Sequence, residues 1–333
     1  MAALPAAPAT ICVYVGLDLV GDGLMKLPFL RALRRAWPAA QVTWLAGKGP
    51  SVFAHELAPL ARGLIDEVIE DAGIGSRAGE LLHRPMAGRR FDLVIDTQRR
   101  VLTTLILRRL SHGTFVSGAA GFLLSDRRPR LPYAKPKAMV RQMLDLIEIA
   151  AGAPARPDAA LAIDPATETA ATRLLPVGPT YVGLAPGAGG RQKCWPLENY
   201  IDLARRLADG ERLPVFILGP GEAEWISACR AVAGARLPLQ DAVEQGIAIT
   251  PMLTIALARR LAAAVANDSG AGHMLAAGDV KLVSLFGPTS PDKFAPMTPV
   301  LRVLRAQDFG GEAMSAIPVD VVIRAVRELL SAT

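Results

Sequence analysis

The feature that most constrains this chain is an alternation, sustained through nearly all of its 333 residues, of short uninterrupted apolar runs with amphipathic stretches. Runs such as 11–15 (Ile-Cys-Val-Tyr-Val) leave no polar position for a face in water. Strands buried on both faces belong to parallel sheets, and parallel strands need crossover helices between them. The spacing predicts strands at 11–15, 41–45, 64–69, 91–96, 115–117, 181–185, 215–218, 262–266 and 281–286. Helices are expected at 23–36, 102–110, 139–150, 197–207, 222–233, 254–261, 272–277 and 319–330. The expected class is α/β.

The pattern is interrupted once. Pro154, Pro157, Pro165, Pro176 and Pro179 fall close together, and proline both restricts the chain and removes amide donors. We therefore expect a flexible tail at 1–10, a Rossmann-like domain at 11–155, a linker at 156–179 and a second Rossmann-like domain at 180–333, the two facing across a cleft. A chain that is 51% hydrophobic and 20% charged has ample apolar surface for two cores and is no disordered polymer.

Three cysteines without a CxxC spacing suggest neither a disulfide framework nor a zinc site, and point to a reducing cytoplasm. The uncharged first 17 residues lack a basic leader, and Pro5 and Pro8 break their apolar run, so a secretion signal is not expected. No uninterrupted apolar run approaches the length of a membrane-spanning helix, so the expectation is a soluble protein. Charge is uneven. Residues 84–141 hold thirteen Lys or Arg against Asp92, Asp96 and Asp126, a local balance of +10, which leaves −4 for the rest of a chain whose net charge is +6. Such a stretch is either a solvated surface or a face for an anionic partner. Aromatic residues are not interleaved with the arginines, which disfavours a nucleic-acid platform.

Parallel sheets bind ligands at the carboxyl ends of their strands, beside helix N-termini. Four expected strand-end turns stand out. Val20-Gly21-Asp22-Gly23 offers a carboxylate, either a helix cap or a proton acceptor. Residues 185–196 run from a strand into Gly187, Gly189 and Gly190, then Arg191 and Lys193, then Trp195-Pro196, a pattern suited to close backbone approach and to an anion. Asn267-Asp268-Ser269-Gly270-Ala271-Gly272-His273 opens an alanine-rich helix and could cradle a diphosphate; the bland alternative is a capped helix with a core histidine. Phe286-Gly287-Pro288-Thr289-Ser290 adds two hydroxyls. No GxGxxG or P-loop sequence is present.

At these residues the chain resembles glycosyltransferase family 9, the ADP-heptose:lipopolysaccharide heptosyltransferases, a family with the GT-B fold. The resemblance rests on Gly21-Asp22 with Pro28-Phe29-Leu30-Arg31-Ala32-Leu33, and on Asp96-Thr97-Gln98. It rests further on Pro186-Gly187 through Lys193-Cys194-Trp195-Pro196, and on Gly219-Pro220-Gly221-Glu222. The most specific pair is Asn267-Asp268-Ser269-Gly270-Ala271-Gly272-His273 with Phe286-Gly287-Pro288-Thr289.

That resemblance implies an inverting transfer of heptose from ADP-heptose to an anionic lipopolysaccharide inner-core acceptor. Asp22 would be the general base, and Lys193 would offset charge on the departing diphosphate. The donor would be held by Gly187, Arg191, Glu222 (at the ribose), Asp268, Ser269, Gly270, Gly272, His273, Pro288 and Thr289. The acceptor would meet Gly21, Asp96, Gln98, Arg99, Arg127 and Arg128. With no DxD triad, a metal is not indicated, and no other cofactor is implied. Cytoplasmic placement with peripheral contact to the anionic inner leaflet follows, and no nucleic-acid partner. Other readings are a family member with another nucleotide sugar or another glycan or protein acceptor, a nucleotide-sugar epimerase, and a non-catalytic nucleotide binder.

Overall fold

The structure, a computed structural model, describes residues 7–17, 20–75, 77–209 and 211–331. The chain divides into two compact units, Met1–Ala162 and Ile163–Thr333.

In unit 1, β1 (Thr10–Val15), β2 (Gln41–Ala46), β3 (Glu67–Ile69), β4 (Arg90–Asp96) and β5 (Ser111–Ser117) form one sheet in the order β3-β2-β1-β4-β5. Every pairing is parallel. The helices are α1 (Val20–Ala36), α2 (Ala58–Ala61), α3 (Val101–Leu107) and α4 (Met139–Ala151). β1 lies at the centre, and its five apolar residues are buried, as the uninterrupted run requires. Its even-numbered side chains join Val94, Ile106, Leu107 and Phe115 in one core; α1 packs on α4.

Helix α1 begins three residues ahead of the expected 23–36, so Gly21 and Asp22 lie inside its first turn. Gly23 is there for clearance: a Cβ would stand 2.7 Å from Val52 Cγ2 and Leu57 Cδ1. Of the tail expected at 1–10, residues 1–6 lie outside the described residues. The remainder is pinned: the amides of Ala9 and Thr10 donate to Asp92 Oδ2 at 2.9 and 3.0 Å.

Unit 2 repeats the plan. β6 (Thr180–Ala185), β7 (Arg212–Phe216), β8 (Ala263–Asn267), β9 (Leu282–Phe286) and β10 (Leu301–Arg305) run parallel in the order β10-β9-β8-β6-β7. Its helices are α5 (Pro165–Leu174), α6 (Leu197–Leu207), α7 (Ile226–Arg230), α8 (Pro238–Glu244), α9 (Pro251–Ala258), α10 (Gly270–Ala277), α11 (Pro291–Phe294) and α12 (Val319–Ser331). Trp195, Tyr200 and Phe216 pack with α12 residues on one face of the sheet; Ala171, Leu257 and Leu275 pack on the other.

Residues 156–179, expected as a linker, are shared between the units. Ala159 O accepts from Arg31 Nε at 2.7 Å, which ties that end to α1. α5, capped by Asp164 on the Thr167 amide, buries Ala171 and Leu174 in unit 2. Among the described residues no helix is long and apolar enough to cross a membrane.

Candidate functional site

The strand-end turns singled out in unit 2 converge. The Pro186–Gly190 stretch follows β6, Gly219–Glu222 follows β7, Asp268–Ser269 follows β8, and Gly287–Thr289 follows β9, all at the carboxyl edge. A cavity of about 340 Å³ opens there, lined by Gly187, Gly189, Gly219, Glu222, Ser269 and Gly270, with Ile217, Leu239, Ile249 and Met274 forming an apolar part. A lining that mixes polar groups with an apolar part suits a molecule with a charged part and a flat base.

Glu222 is fixed. Its Oε2 accepts from the Gly219 amide at 2.8 Å, and its carboxylate lies against Gly187, where a Cβ would come within 2.4 Å of Oε1. Glycine at 187 therefore leaves the Glu222 carboxylate room to lie against the backbone, and a larger residue there would push it aside. Ser269 caps α10 by accepting from the Gly272 amide at 3.3 Å. That bond overturns the expectation that Gly272 offers its N–H to a ligand: the donor is already used, and Gly272 is buried outside the cavity lining. Gly270 and Ala271 are the residues of this helix start that line the cavity.

Beside the cavity lies a three-residue cluster. Lys193 Nζ sits 3.1 Å from Asp268 Oδ2, and Thr289 Oγ1 donates to the same oxygen at 2.7 Å. His273 follows on α10; burial pushes its imidazole below the ordinary value, partly opposed by Asp268, so it is neutral near pH 7. Arg191 departs from expectation. Its guanidinium stacks on Trp225 at 4.4 Å from the ring centroid and pairs with Glu224, turned to an exposed position outside the cavity lining. Pro288 is exposed and, like Thr289, does not line the cavity.

Sequence reasoning missed the residue that organises these loops. Asn267 is fully buried at the end of β8. Its Oδ1 accepts from the Trp195 amide and the Tyr200 hydroxyl, each at 3.1 Å, and its Nδ2 donates to Pro186 O at 2.7 Å. One carboxamide thus holds both ends of the 187–194 loop. Trp195, whose Nε1 donates to Ile317 O at 2.9 Å, roots the same loop in the core. The signal was an amide-bearing residue closing an otherwise apolar strand, next to a residue with obvious charge chemistry.

In unit 1, Asp22 is partly exposed in the first turn of α1, where the helix dipole favours a carboxylate. Gly21 beside it is exposed, with open space where a Cβ would go. Gln98 comes off neighbouring β4 and lies against the β1–α1 turn: a Cβ at Gly16 would be 3.1 Å from Gln98 Oε1. Arg99 packs over Phe122 and has one buried nitrogen, Nη2, without a hydrogen-bond partner.

Two expectations fail here. Asp96 is fully buried and accepts from Thr104 Oγ1 (2.6 Å), Ser117 Oγ (2.8 Å) and the Gln98 amide (2.8 Å), so it shapes the turn and cannot touch a ligand. Burial pushes its carboxyl up to about 6 against the pull of those donors. Arg127 donates to Ala150 O and borders a separate cavity of about 280 Å³ with Ala9, Asp92 and Thr114, away from Gln98 and Arg99. Arg128 is exposed, reaching Leu123 O at 3.5 Å.

The family model described as glycosyltransferase family 9 (heptosyltransferase) matches residues 81–314. A lipopolysaccharide heptosyltransferase 2 of Salmonella typhimurium is 34% identical over 137 residues, 37% of this chain and 36% of that protein. The match thus spans about a third of that relative's length. Among solved structures, a glycosyl transferase family 9 protein from Veillonella parvula superposes with a TM-score of 0.70 at 19% identity, covering 98% of both chains. The E. coli ADP-heptose lps heptosyltransferase II superposes at 0.64 and 23% identity, covering 96% of this chain and 98% of that one. Two parallel α/β units of Rossmann type, in the arrangement of strands seen here, make the GT-B class of fold. With a family model that matches residues 81–314, more than half of the chain, the chain belongs to glycosyltransferase family 9.

Proposed function

We propose that this protein is an inverting glycosyltransferase that moves a heptose from ADP-heptose to an anionic, lipid-borne lipopolysaccharide inner-core acceptor at the inner face of the cytoplasmic membrane. The observation that carries the reading is the unit 2 cavity, with its apolar lining, the Glu222 carboxylate and a capped helix start, next to the Lys193–Asp268–Thr289 cluster. The adenine occupies the apolar slot between Ile217, Leu239 and Met274, Glu222 accepts from the ribose, and the diphosphate lies at the start of α10.

Asp22 removes the proton from the acceptor hydroxyl as its oxygen attacks the anomeric carbon. The bond from that carbon to the diphosphate oxygen breaks on the opposite face, and ADP departs carrying the electron pair. Lys193 and the α10 dipole stabilise the charge that grows on the leaving oxygen, and no metal is assigned to the step. Gln98, which lies against Gly16 of the β1–α1 turn, and Arg99 receive the acceptor's anionic groups.

Calorimetric titration with ADP, UDP, GDP and CDP, without added metal, tests the donor half. Selective ADP binding, at least tenfold weaker in Lys193→Ala, is expected. Preference for UDP or GDP would remove heptose from the reading while leaving the class. Asp22→Ala should abolish transfer with ADP affinity unchanged; full turnover by that variant would refute the base.

A further inference from the structure

Among the described residues, the large apolar side chains left in solvent are concentrated in unit 1, and a group of them lies on or near α3. On α3, Thr103, Thr104, Ile106 and Leu107 are buried, whereas Val101 and Leu105, one turn apart, face outward. Leu82 and Leu123 flank that helix. Arg109 Nε donates to His83 O at 2.9 Å, which ties the segment after Leu82 to the end of α3, and Arg108 Nη1 donates to Leu124 O at 2.8 Å, which ties the Leu123–Leu124 segment to the same end. Leu131 belongs to the same neighbourhood, because Tyr133 packs edge-on against Phe122, with centroids 5.2 Å apart. Leu82, Leu123 and Leu131 are 80%, 65% and 88% exposed.

The rim of this face is cationic. Arg84, Arg100, Arg128, Arg130 and Lys135 are exposed, and among the described residues none of them forms an ion pair with an acidic side chain. Asp126, the one acid in the 99–141 stretch, is already engaged by Arg108 and the Phe115 amide.

We propose that the outer face of α3, with the Leu123 and Leu131 segments, is a docking surface for an anionic phospholipid bilayer. This deepens the reading of a lipid-borne acceptor and rests on it for the nature of the surface. Isolated leucines spaced among long cationic side chains match a leaflet better than a protein. Each leucine enters between headgroups while the neighbouring arginines lie along the interface and reach phosphates. A protein interface would require a contiguous apolar centre depleted of charge. Each cation near an anionic surface contributes about fivefold to partitioning, and the contribution fades with salt.

Vesicle flotation of the full-length protein tests this. Phosphatidylcholine vesicles containing about one third phosphatidylglycerol should retain the protein, pure phosphatidylcholine should retain at least tenfold less, and high salt should release it. Leu123→Ser/Leu131→Ser and Arg130→Glu/Lys135→Glu should each lower partitioning tenfold or more, with ADP affinity in solution unchanged. Equal flotation of the variants overturns the assignment. So does a concentration-dependent dimer that the leucine variant abolishes, which would give the face to a second copy. ADP titration of the same preparation separates the two readings: vesicle binding without ADP binding removes the donor assignment and keeps the face, and the reverse removes the face alone.

Discussion

Replacing Asn267 with alanine tests whether one buried carboxamide holds the donor loops. The substitution strands the Trp195 amide and the Pro186 carbonyl, both bonded only across this side chain in a fully buried setting, while the Tyr200 hydroxyl keeps Ala185 O at 3.3 Å. An unsatisfied buried donor or acceptor costs roughly 1–3 kcal/mol, so the two together cost about 2–6 kcal/mol, before any small cavity is counted. That is a large share of the 5–15 kcal/mol typical of a domain, yet short of unfolding it at room temperature. Because Pro186 and Trp195 bracket the loop carrying Gly187 and Lys193, the loss reaches the site directly. Thermal unfolding followed with and without ADP identifies the unit 2 transition as the one ADP shifts, which matters because a chain with two units need not melt in one step. That transition should fall by several degrees and ADP affinity by at least tenfold. Asn267→Asp keeps the two accepted bonds but turns a carboxylate oxygen towards Pro186 O, so it should recover affinity only when acid restores a proton. If Asn267→Ala costs less than about 1 kcal/mol and binds ADP normally, the loop is held by Trp195 packing and the argument fails.

Thr289→Val removes the hydroxyl that orients Asp268 and should lower kcat ten- to a hundredfold with donor KM changed by less than about threefold, a split read from steady-state kinetics. Gly187→Ala places a methyl group on the Glu222 carboxylate and should weaken ADP binding severalfold while leaving the melting temperature nearly unchanged. Asp96 gives a pH prediction. Its folded value of about 6 lies above the 3.8 of a free carboxyl, so the folded chain holds the proton more tightly, and the contribution is complete below pH 3.8 and lost as pH rises through 6. Urea unfolding at pH 4 and pH 8 should show wild type losing about 2.4 kcal/mol relative to Asp96→Asn; a difference independent of pH would mean that the carboxyl does not titrate in this window.

Most strands were legible because a doubly buried strand leaves an unbroken apolar run, and β1, β4, β6 and β8 lie within a residue or two of expectation. The departures sit at sheet edges. β10 (Leu-Arg-Val-Leu-Arg) is half exposed at the end of its sheet, so its apolar run is broken by arginine and no strand was expected. β7 was expected to begin after Pro214 but includes it, which an edge strand tolerates because one row of its amides needs no partner. The expected helix at 222–233 is a 3-10 stretch, Pro220–Trp225, followed by the short α7, where Glu222 turns back to the Gly219 amide.

The two candidate sites differed in legibility for a physical reason. The donor side is built from backbone: glycines at strand ends, a capped helix start, a lysine a few residues along the same loop. Those features are local in sequence, so a turn such as Asn267-Asp268-Ser269-Gly270 reads as a site before any fold is known. What the sequence concealed there was long-range, as with Asn267 bonding to residues 67 to 81 positions away and Arg191 drawn to Glu224. The unit 1 side is built from side chains whose surroundings come from distant elements. Asp96 and Gln98 stand two residues apart in one motif, yet Thr104 and Ser117 bury the first while the second lies beside the β1–α1 turn. Arg127 and Arg128 are adjacent, and one is spent on the Ala150 carbonyl. A charge count sees thirteen equivalent cations in that stretch; only packing separates those consumed by carbonyls and carboxylates from those left to meet a partner.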